Sequence, residues 1–261
     1  MLFHDFLTNQ NRKIHKTVHF FPIYEKHLQK YVNQSVTVFE IGSGGGGSAQ
    51  MLKRYLGPFA TIVSLDINPN CKNYEEHQIY NRTGDQSDIE FLQSLIDEFG
   101  TPDIVIDDGS HIMKHITASF NFLYDLASKN GTYIVEDLQV CYWDNYGGGL
   151  KHPDSFLEKV KDLIDLLHAR HNGLQRDFAE QTFSMCIYDS VVVLEKKKWP
   201  KNGWLALIIG DEIKEPIVTI TTPDYTPPQS KQEIRNEQLN NAFKNSRWIK
   251  FGKKLGFLKG I

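Results

Sequence analysis

A glycine-rich turn constrains the fold of this 261-residue chain more than any other feature. Residues 40–47 read Glu-Ile-Gly-Ser-Gly-Gly-Gly-Gly, and they close the apolar run Val36–Ile41. The segment that follows, Ser48–Tyr55, has the composition of a helix. Glycines between a strand and a helix let the backbone turn tightly and approach a ligand closely. The pattern therefore predicts an open α/β sheet with a ligand crevice at this turn.

Short β-rich runs alternate with longer periodic ones over roughly the first half of the chain. The predicted strands are Val36–Ile41, Ala60–Leu65, Gln78–Arg82, Asp103–Ile106 and Gly131–Val135, and the predicted helices are Ser48–Tyr55, Ile89–Phe99, Ile112–Ala127 and Ser155–His171. This alternation indicates a parallel sheet with crossover helices. Later, Phe183–Ile187 and Val191–Glu195 flank a short turn and predict an antiparallel hairpin. We therefore expect a Rossmann-like, doubly wound α/β fold, with a mostly parallel seven-stranded sheet and one antiparallel strand.

An acidic residue at the end of the second predicted strand indicates the kind of ligand. A carboxylate at Asp66 can accept hydrogen bonds from both ribose hydroxyls of a nucleoside. Gly42, Gly44 and Gly47 also satisfy the dinucleotide fingerprint, so a nicotinamide cofactor stays an alternative. Two features favour S-adenosylmethionine. A cofactor without pyrophosphate tolerates an acid such as Glu40 just before the first glycine of the loop. The late hairpin suits a sheet with one antiparallel strand. The predicted cofactor ligands in this part of the chain are Glu40, Gly42, Ser43, Gly44 and Asp66.

Two acidic pairs follow the fourth and fifth predicted strands. Asp107 and Asp108 come first, and Glu136 and Asp137 follow the neighbouring strand. Carboxyl ends of adjacent parallel strands meet beside the crevice. Because carboxylates at contact distance repel one another, they need a cation, and an all-oxygen ligand set suits Mg²⁺. A histidine three residues after Asp108, His111, suits a general base at neutral pH.

Composition excludes several classes of protein. The net charge of −3 gives no reason to expect a nucleic-acid partner. Three scattered cysteines, Cys71, Cys141 and Cys186, predict neither a disulfide framework nor structural zinc, and they favour a reducing cytoplasm. The first residues lack the pattern of a secretory signal, and the longest apolar run, Trp204–Ile209, is too short to span a bilayer.

Taken together, the glycine loop, the acid after the second strand and the sequence 84–87 (Gly-Asp-Gln-Ser) resemble class I S-adenosylmethionine-dependent methyltransferases. The third loop of those enzymes cradles the adenine. The resemblance implies that Asp85 and Gln86 face the adenine and that Asp107 lies with the cofactor ligands. A residue at the N-terminus of the helix that starts near Ile89 is the alternative interpretation of Asp85.

A longer pattern resembles a narrower group within this class. Ile-Asp-Asp-Gly-Ser-His at 106–111, Gly-Thr-Tyr-Ile-Val-Glu-Asp-Leu at 131–138 and the stretch 15–27 are similar to metal-dependent sugar O-methyltransferases of the mycinamicin and macrocin type and to cephalosporin hydroxylase-like proteins. The resemblance covers about residues 15–145. It implies Mg²⁺ ligation by Asp108, Glu136 and Asp137. It also implies methyl transfer to a sugar hydroxyl, with His111 as base and Asp108 beside it.

The resemblance leaves the acceptor and two alternatives open. The acceptor is a nucleotide-activated sugar, a surface glycan or a glycosylated metabolite. A hydroxylase-like member of the same fold and a non-catalytic cofactor-binding protein are the alternatives. We expect a homo-oligomer with three parts: a helical lead-in (1–34), the Rossmann-like domain (35–215), and a proline-containing linker with a basic tail (216–261). A docked or frayed tail is favoured over membrane contact.

Overall fold

The computed structural model describes residues 2–9, 11–197, 204–206 and 218–220. Within them, the helices are α1 (Leu2–Leu7), α2 (Phe20–Leu28), α3 (Gly47–Leu56), α4 (Ile89–Phe99), α5 (Met113–Leu126), α6 (Phe156–Leu167), α7 (Ala169–Asn172) and α8 (Asp177–Gln181). The strands are β1 (Thr37–Ile41), β2 (Thr61–Asp66), β3 (Ile79–Thr83), β4 (Ile104–Asp107), β5 (Thr132–Val135), β6 (Thr182–Tyr188), β7 (Val191–Lys196), β8 (Trp204–Ala206) and β9 (Val218–Ile220).

Seven of these strands form one sheet in the order β3-β2-β1-β4-β5-β7-β6. Strands β1 to β5 pair in parallel, and β7 runs antiparallel to both β5 and β6. The predicted mostly parallel sheet with one antiparallel strand is therefore confirmed. The strand order reverses between β1 and β4, and in open α/β sheets ligands bind at such a switch point, beyond the carboxyl ends of the strands.

The central strands are apolar because both faces of the sheet are covered. Val38 and Phe39 are adjacent on β1, are fully buried, and belong to different core clusters on the two faces. Ile104 and Val105 on β4 divide in the same way. Parallel strands that are buried on both faces appear in the sequence as continuous apolar runs rather than alternating ones.

Helix α4 shows how local sequence fixes a boundary. The Asp88 side chain accepts hydrogen bonds from the backbone N–H groups of Glu90 and Phe91, at 3.0 and 3.2 Å. Gly100 ends the helix with φ +80°. An N-cap carboxylate and a C-terminal glycine are the usual termini of a helix. The cap is thus Asp88, and Asp85 does not occupy that position.

The predicted lead-in packs on the sheet. Leu2 on α1 and Phe20 and Tyr24 on α2 share a buried cluster with Val38 of β1 and Met51 of α3. The lead-in therefore contributes to the core of the sheet domain. The division of the chain at residue 35 stays a prediction.

Two predicted segments differ from what the structure describes. The predicted helix Ser155–His171 is divided, since α6 ends at Leu167 and His168, with φ −95° and ψ 15°, separates it from α7. Within the predicted linker, Val218–Ile220 forms β9 and pairs with β8. The rest of the linker and the basic tail lie outside the described residues. None of the described helices combines the length and apolar character needed to cross a membrane.

Candidate active site

A cavity of about 700 Å³ opens beyond the carboxyl ends of β1, β2, β4 and β5. It is lined by the loops that follow these strands, by the loop after β3, and by residues 13–17 of the lead-in. The predicted site residues on its wall are Gly42, Ser43, Gly44, Asp66, Asp85, Gln86, Asp108, His111, Glu136 and Asp137. The strand order thus gathers residues that are far apart in sequence around one cavity.

The glycines of the loop serve different purposes. Gly42 has φ +93°, and a Cβ there would lie 2.1 Å from the carbonyl oxygen of Asp108. This glycine therefore allows the loops after β1 and β4 to approach each other. Gly44 also has positive φ, but a Cβ there would have no neighbour within 4 Å. Its N–H donates to Asp66 Oδ2 at 3.0 Å, so the loop and the predicted ribose ligand are joined, with open space beside the loop.

A segment of the lead-in lies across the glycine loop. We call residues 11–19, which connect α1 to α2, the N-terminal strap. A Cβ at Gly45 or Gly47 would lie 2.8 or 2.6 Å from the carbonyl oxygen of Lys13. These two glycines therefore allow the strap to approach the loop. The loop's composition alone does not predict this contact, since it depends on residues more than thirty positions earlier.

Glu40 does not line the cavity. Its carboxylate is fully buried on β1 and accepts a hydrogen bond from the Ser64 hydroxyl at 2.7 Å. Burial raises the pKa of Glu40, and the nearby Lys16 ammonium acts in the opposite direction. The predicted contact of Glu40 with the cofactor stays a prediction. Asp66, by contrast, lies on the cavity wall, where its second oxygen accepts from the backbone N–H of Asn68 at 2.9 Å.

The loop after β3 brings Asp85 and Gln86 to the cavity wall. Asp85 Oδ1 accepts from the N–H and the hydroxyl of Ser87, both at 2.8 Å, and these hydrogen bonds lower the pKa of Asp85. The Gln86 side chain accepts from the N–H of Ser110 at 2.7 Å and donates to Asp107 at 3.2 Å. Gln86 thus connects the loops after β3 and β4. Its predicted contact with adenine stays a prediction.

Asp107 lies behind the cavity wall. Its carboxylate accepts from the Ser119 hydroxyl at 2.8 Å and from the Gln86 amide. Burial raises the pKa of Asp107 to about 6, although these hydrogen bonds act in the opposite direction. Its observed contacts fix the base of the loop that carries Asp108 and His111. Its predicted role as a cofactor ligand stays a prediction.

Asp108, His111 and Asp137 form the outer cluster of the site. One ligand atom from each lies within 4.8 Å of the others. His111 Nε2 is 3.8 Å from Asp108 Oδ1 and 3.7 Å from Asp137 Oδ2, and all three side chains are partly exposed. His111 and Asp137 both have positive φ, a strained backbone that persists only where the surroundings hold it. The two carboxylates can offer oxygen ligands to a hard divalent cation, and the imidazole lies beside them.

Glu136 lies deeper and has different partners. Its two oxygens accept from Lys16 Nζ at 2.7 and 2.9 Å, and the Tyr24 hydroxyl also donates to it. The same ammonium donates to Asp108 Oδ2 at 2.5 Å. Burial alone would lower the pKa of Lys16, but the attraction of Glu136, Asp108 and Glu40 outweighs it and raises that pKa. Lys16 is thus a charged group of the site that our sequence analysis missed.

The sheet order and the cavity at its switch point define the class I S-adenosylmethionine-dependent methyltransferase fold. No family model matches the chain. It is 34% identical over 201 residues to the mycinamicin VI 2''-O-methyltransferase of Micromonospora griseorubida, which covers 70% of this chain and 49% of that protein. It is 35% identical over 198 residues to the demethylmacrocin O-methyltransferase of Streptomyces fradiae, with 69% and 49% covered.

The chain is also similar in structure to a solved homologue. The MycE methyltransferase of the mycinamycin pathway, in complex with Mg, S-adenosylhomocysteine and mycinamycin VI, matches with a TM-score of 0.70 at 33% identity. The match covers 76% of this chain and 53% of that one. The chain is a homologue of the macrolide-sugar O-methyltransferases, which confirms the resemblance found in the sequence. It spans about half the length of the curated relatives it matches.

Proposed function

We propose that this protein is an S-adenosylmethionine- and Mg²⁺-dependent O-methyltransferase that acts on a hydroxyl of a sugar. One observation carries the proposal. A single cavity has the glycine loop and Asp66 on one side and Asp108, His111 and Asp137 on the other. A nucleoside-bearing methyl donor and a metal-assisted acceptor hydroxyl can therefore meet in one space. The names of the homologues support the reaction class, and the mycinamycin-pathway complex supports the two cofactors.

In the proposed reaction, a methyl group passes from the cofactor sulfonium to an acceptor oxygen, and the proton of that hydroxyl must leave. A divalent cation bound by the acidic residues Asp108, Glu136 and Asp137 would lower the pKa of the hydroxyl and fix its position. His111 would accept the proton at Nε2, the atom that faces both Asp108 and Asp137. These carboxylates would stabilise the imidazolium that forms. Asp66 and the glycine loop would hold the donor for in-line attack.

The acceptor is the part of the proposal that needs the broadest test. We would incubate the protein with S-adenosylmethionine, Mg²⁺ and three acceptor sets: glycosylated natural products, nucleotide-activated sugars and glycan oligosaccharides. Mass spectrometry should detect S-adenosylhomocysteine together with one acceptor that is heavier by a methyl group. Excess EDTA should abolish turnover, and added Mg²⁺ should restore it.

The same experiment separates the alternatives. A hydroxylated product without S-adenosylhomocysteine would replace the proposal with a hydroxylase-like function. Binding of S-adenosylmethionine without turnover on any acceptor set would favour a non-catalytic protein. Full activity in EDTA would exclude the metal role while leaving methyl transfer intact.

We also propose a cytoplasmic location and a homo-oligomeric state. The three cysteines are free thiols, which supports a reducing compartment. Light scattering on the purified protein tests the oligomer, and a monomeric mass would contradict it.

A further inference from the structure

The two carboxylate oxygens of Asp108 have different neighbours. Asp108 Oδ2 accepts from the Lys16 ammonium at 2.5 Å, whereas Oδ1 faces the outer cluster, 3.8 Å from His111 Nε2. An ammonium has three N–H donors, and its three contacts with Asp108 and Glu136 use all of them. The Lys16 side chain is only 3% exposed. The ammonium is therefore a fixed, fully bonded part of the site.

The charges of the cluster need more than one cation. Asp108, Glu136 and Asp137 carry three negative charges when ionised, and Lys16 supplies one positive charge. One divalent cation in the outer cluster would offset the negative charge that Lys16 leaves uncompensated on these three acids. Without the lysine, the same ion would leave an excess negative charge beside the deeply buried Glu136.

Hydrogen bonds to a carboxylate ligand orient it toward its metal. Groups that hold metal ligands in this way typically change metal affinity ten- to a hundredfold when they are removed. Lys16 bridges Asp108 to Glu136, which are anchored on neighbouring strands, and Tyr24 holds Glu136 from the other side. Loss of this bridge would free both carboxylates to turn away from each other.

We propose that Lys16 is a positioning residue for the metal site: its ammonium stays between Asp108 and Glu136 when the divalent cation binds, and it keeps Asp108 Oδ1 turned toward that cation. This inference rests on the proposed metal-dependent function. The N-terminal strap, which carries Lys16, would then help to form the metal site as well as cover the glycine loop.

The direction in which metal affinity changes distinguishes a positioning role of Lys16 from simple charge repulsion. Lys16→Met removes a positive charge next to the site, so charge repulsion alone predicts tighter Mn²⁺ binding. Positioning predicts the opposite, a loss of about ten- to a hundredfold. Electron paramagnetic resonance of free Mn²⁺ would measure the dissociation constant. Lys30→Met is the matched control, because Lys30 belongs to the same lead-in but pairs with Glu195. It should bind Mn²⁺ like the wild type.

Two further variants protect the test against misfolding. Lys16→Arg keeps charge and donors and should recover part of the Mn²⁺ affinity that Lys16→Met loses. Lys16→Gln keeps a donor without charge and should fall between the two. If folded Lys16→Met or Lys16→Gln protein binds Mn²⁺ as tightly as the wild type or more tightly, the positioning role of Lys16 is overturned. The proposed metal dependence would still stand. Absence of Mn²⁺ binding by the wild-type protein would overturn the proposed metal dependence as well.

Discussion

Two carboxylates near opposite ends of β5, Glu136 buried and Glu195 partly buried, contact the same N-terminal lead-in, yet their surroundings differ. Glu136 follows β5 and accepts from Lys16 and Tyr24. Glu195 lies on β7 opposite the first residue of β5, and it accepts from His27 at 2.7 Å and from Lys30. Each carboxylate thus has a lysine of the lead-in as a partner.

The difference lies in the number of acids that share each lysine. Glu195 also accepts from the Thr132 hydroxyl at 2.9 Å, and among the described residues it is the one acid that forms an ion pair with Lys30. At the other end, Lys16 is shared by Asp108 and Glu136, and Asp137 lies beside them next to His111. An excess of acids over cations distinguishes the candidate site from a structural ion pair. Four predictions test this distinction, in order of expected effect.

The largest effect should come from His111→Ala. Loss of a general base typically lowers turnover by 10²- to 10⁴-fold, and we expect a loss of about that size with whichever acceptor is identified. Affinity for S-adenosylhomocysteine, measured by calorimetry, should stay unchanged, because His111 belongs to the outer cluster rather than to the glycine loop. Wild-type turnover in this variant would remove His111 as the base.

Asp137→Ala should weaken Mn²⁺ binding by more than about tenfold, since it removes a carboxylate ligand and loss of a group that only orients a ligand already costs about ten- to a hundredfold. Glu195→Gln is the control at the other end of β5 and should bind Mn²⁺ like the wild type. The same affinity for the two variants would mean that the excess of acids does not mark a metal site.

Glu195→Gln should instead affect stability. Replacing the carboxylate removes an ion pair with the exposed Lys30, which contributes little, and weakens the hydrogen bond with the buried His27, so the free energy of unfolding should fall by about 1 kcal/mol. Urea denaturation followed by circular dichroism would measure it. An unchanged midpoint and slope would show that this ion pair contributes nothing to folding.

The smallest effect should be the pH dependence of that loss. Burial alone would raise the pKa of Glu195, but hydrogen bonds from His27 and Lys30 outweigh it and lower that pKa below 4.5. A lowered pKa in the folded state stabilises the protein above the ordinary pKa, and this contribution disappears as the pH falls through the lowered value. The stability difference between wild type and Glu195→Gln should therefore shrink below about pH 4.5. A constant difference down to pH 3 would contradict this assignment.

Local patterns predicted the elements of the sheet domain well. The predicted helix Ile89–Phe99 has the bounds of α4, because the segment has an apolar period and is flanked by a capping acid, Asp88, and a terminating glycine, Gly100. The grouping of Asp108, His111 and Asp137 also followed from the sequence, since parallel strands bring the loops at their carboxyl ends together.

The contribution of Lys16 was not predictable in this way. It lies 92 residues before Asp108 and 120 before Glu136, and no periodic or local pattern connects them. The break at His168 was also missed, because no glycine or proline marks it and the next glycine is Gly173. Contacts between residues that are distant in sequence depend on how the lead-in packs, and its packing partners cannot be predicted from its sequence alone.

The close approach of Lys13 to Gly47 has a practical consequence for engineering. A methyl group at position 47 would meet the carbonyl oxygens of Lys13 and Arg12 at 2.6 and 2.9 Å, so the strap would have to shift. Lys16 is three residues further along that strap. A small change in the turn after β1 would therefore disturb the acidic end of the cavity without touching any acid, and mutational scans of this turn need metal binding as a second readout.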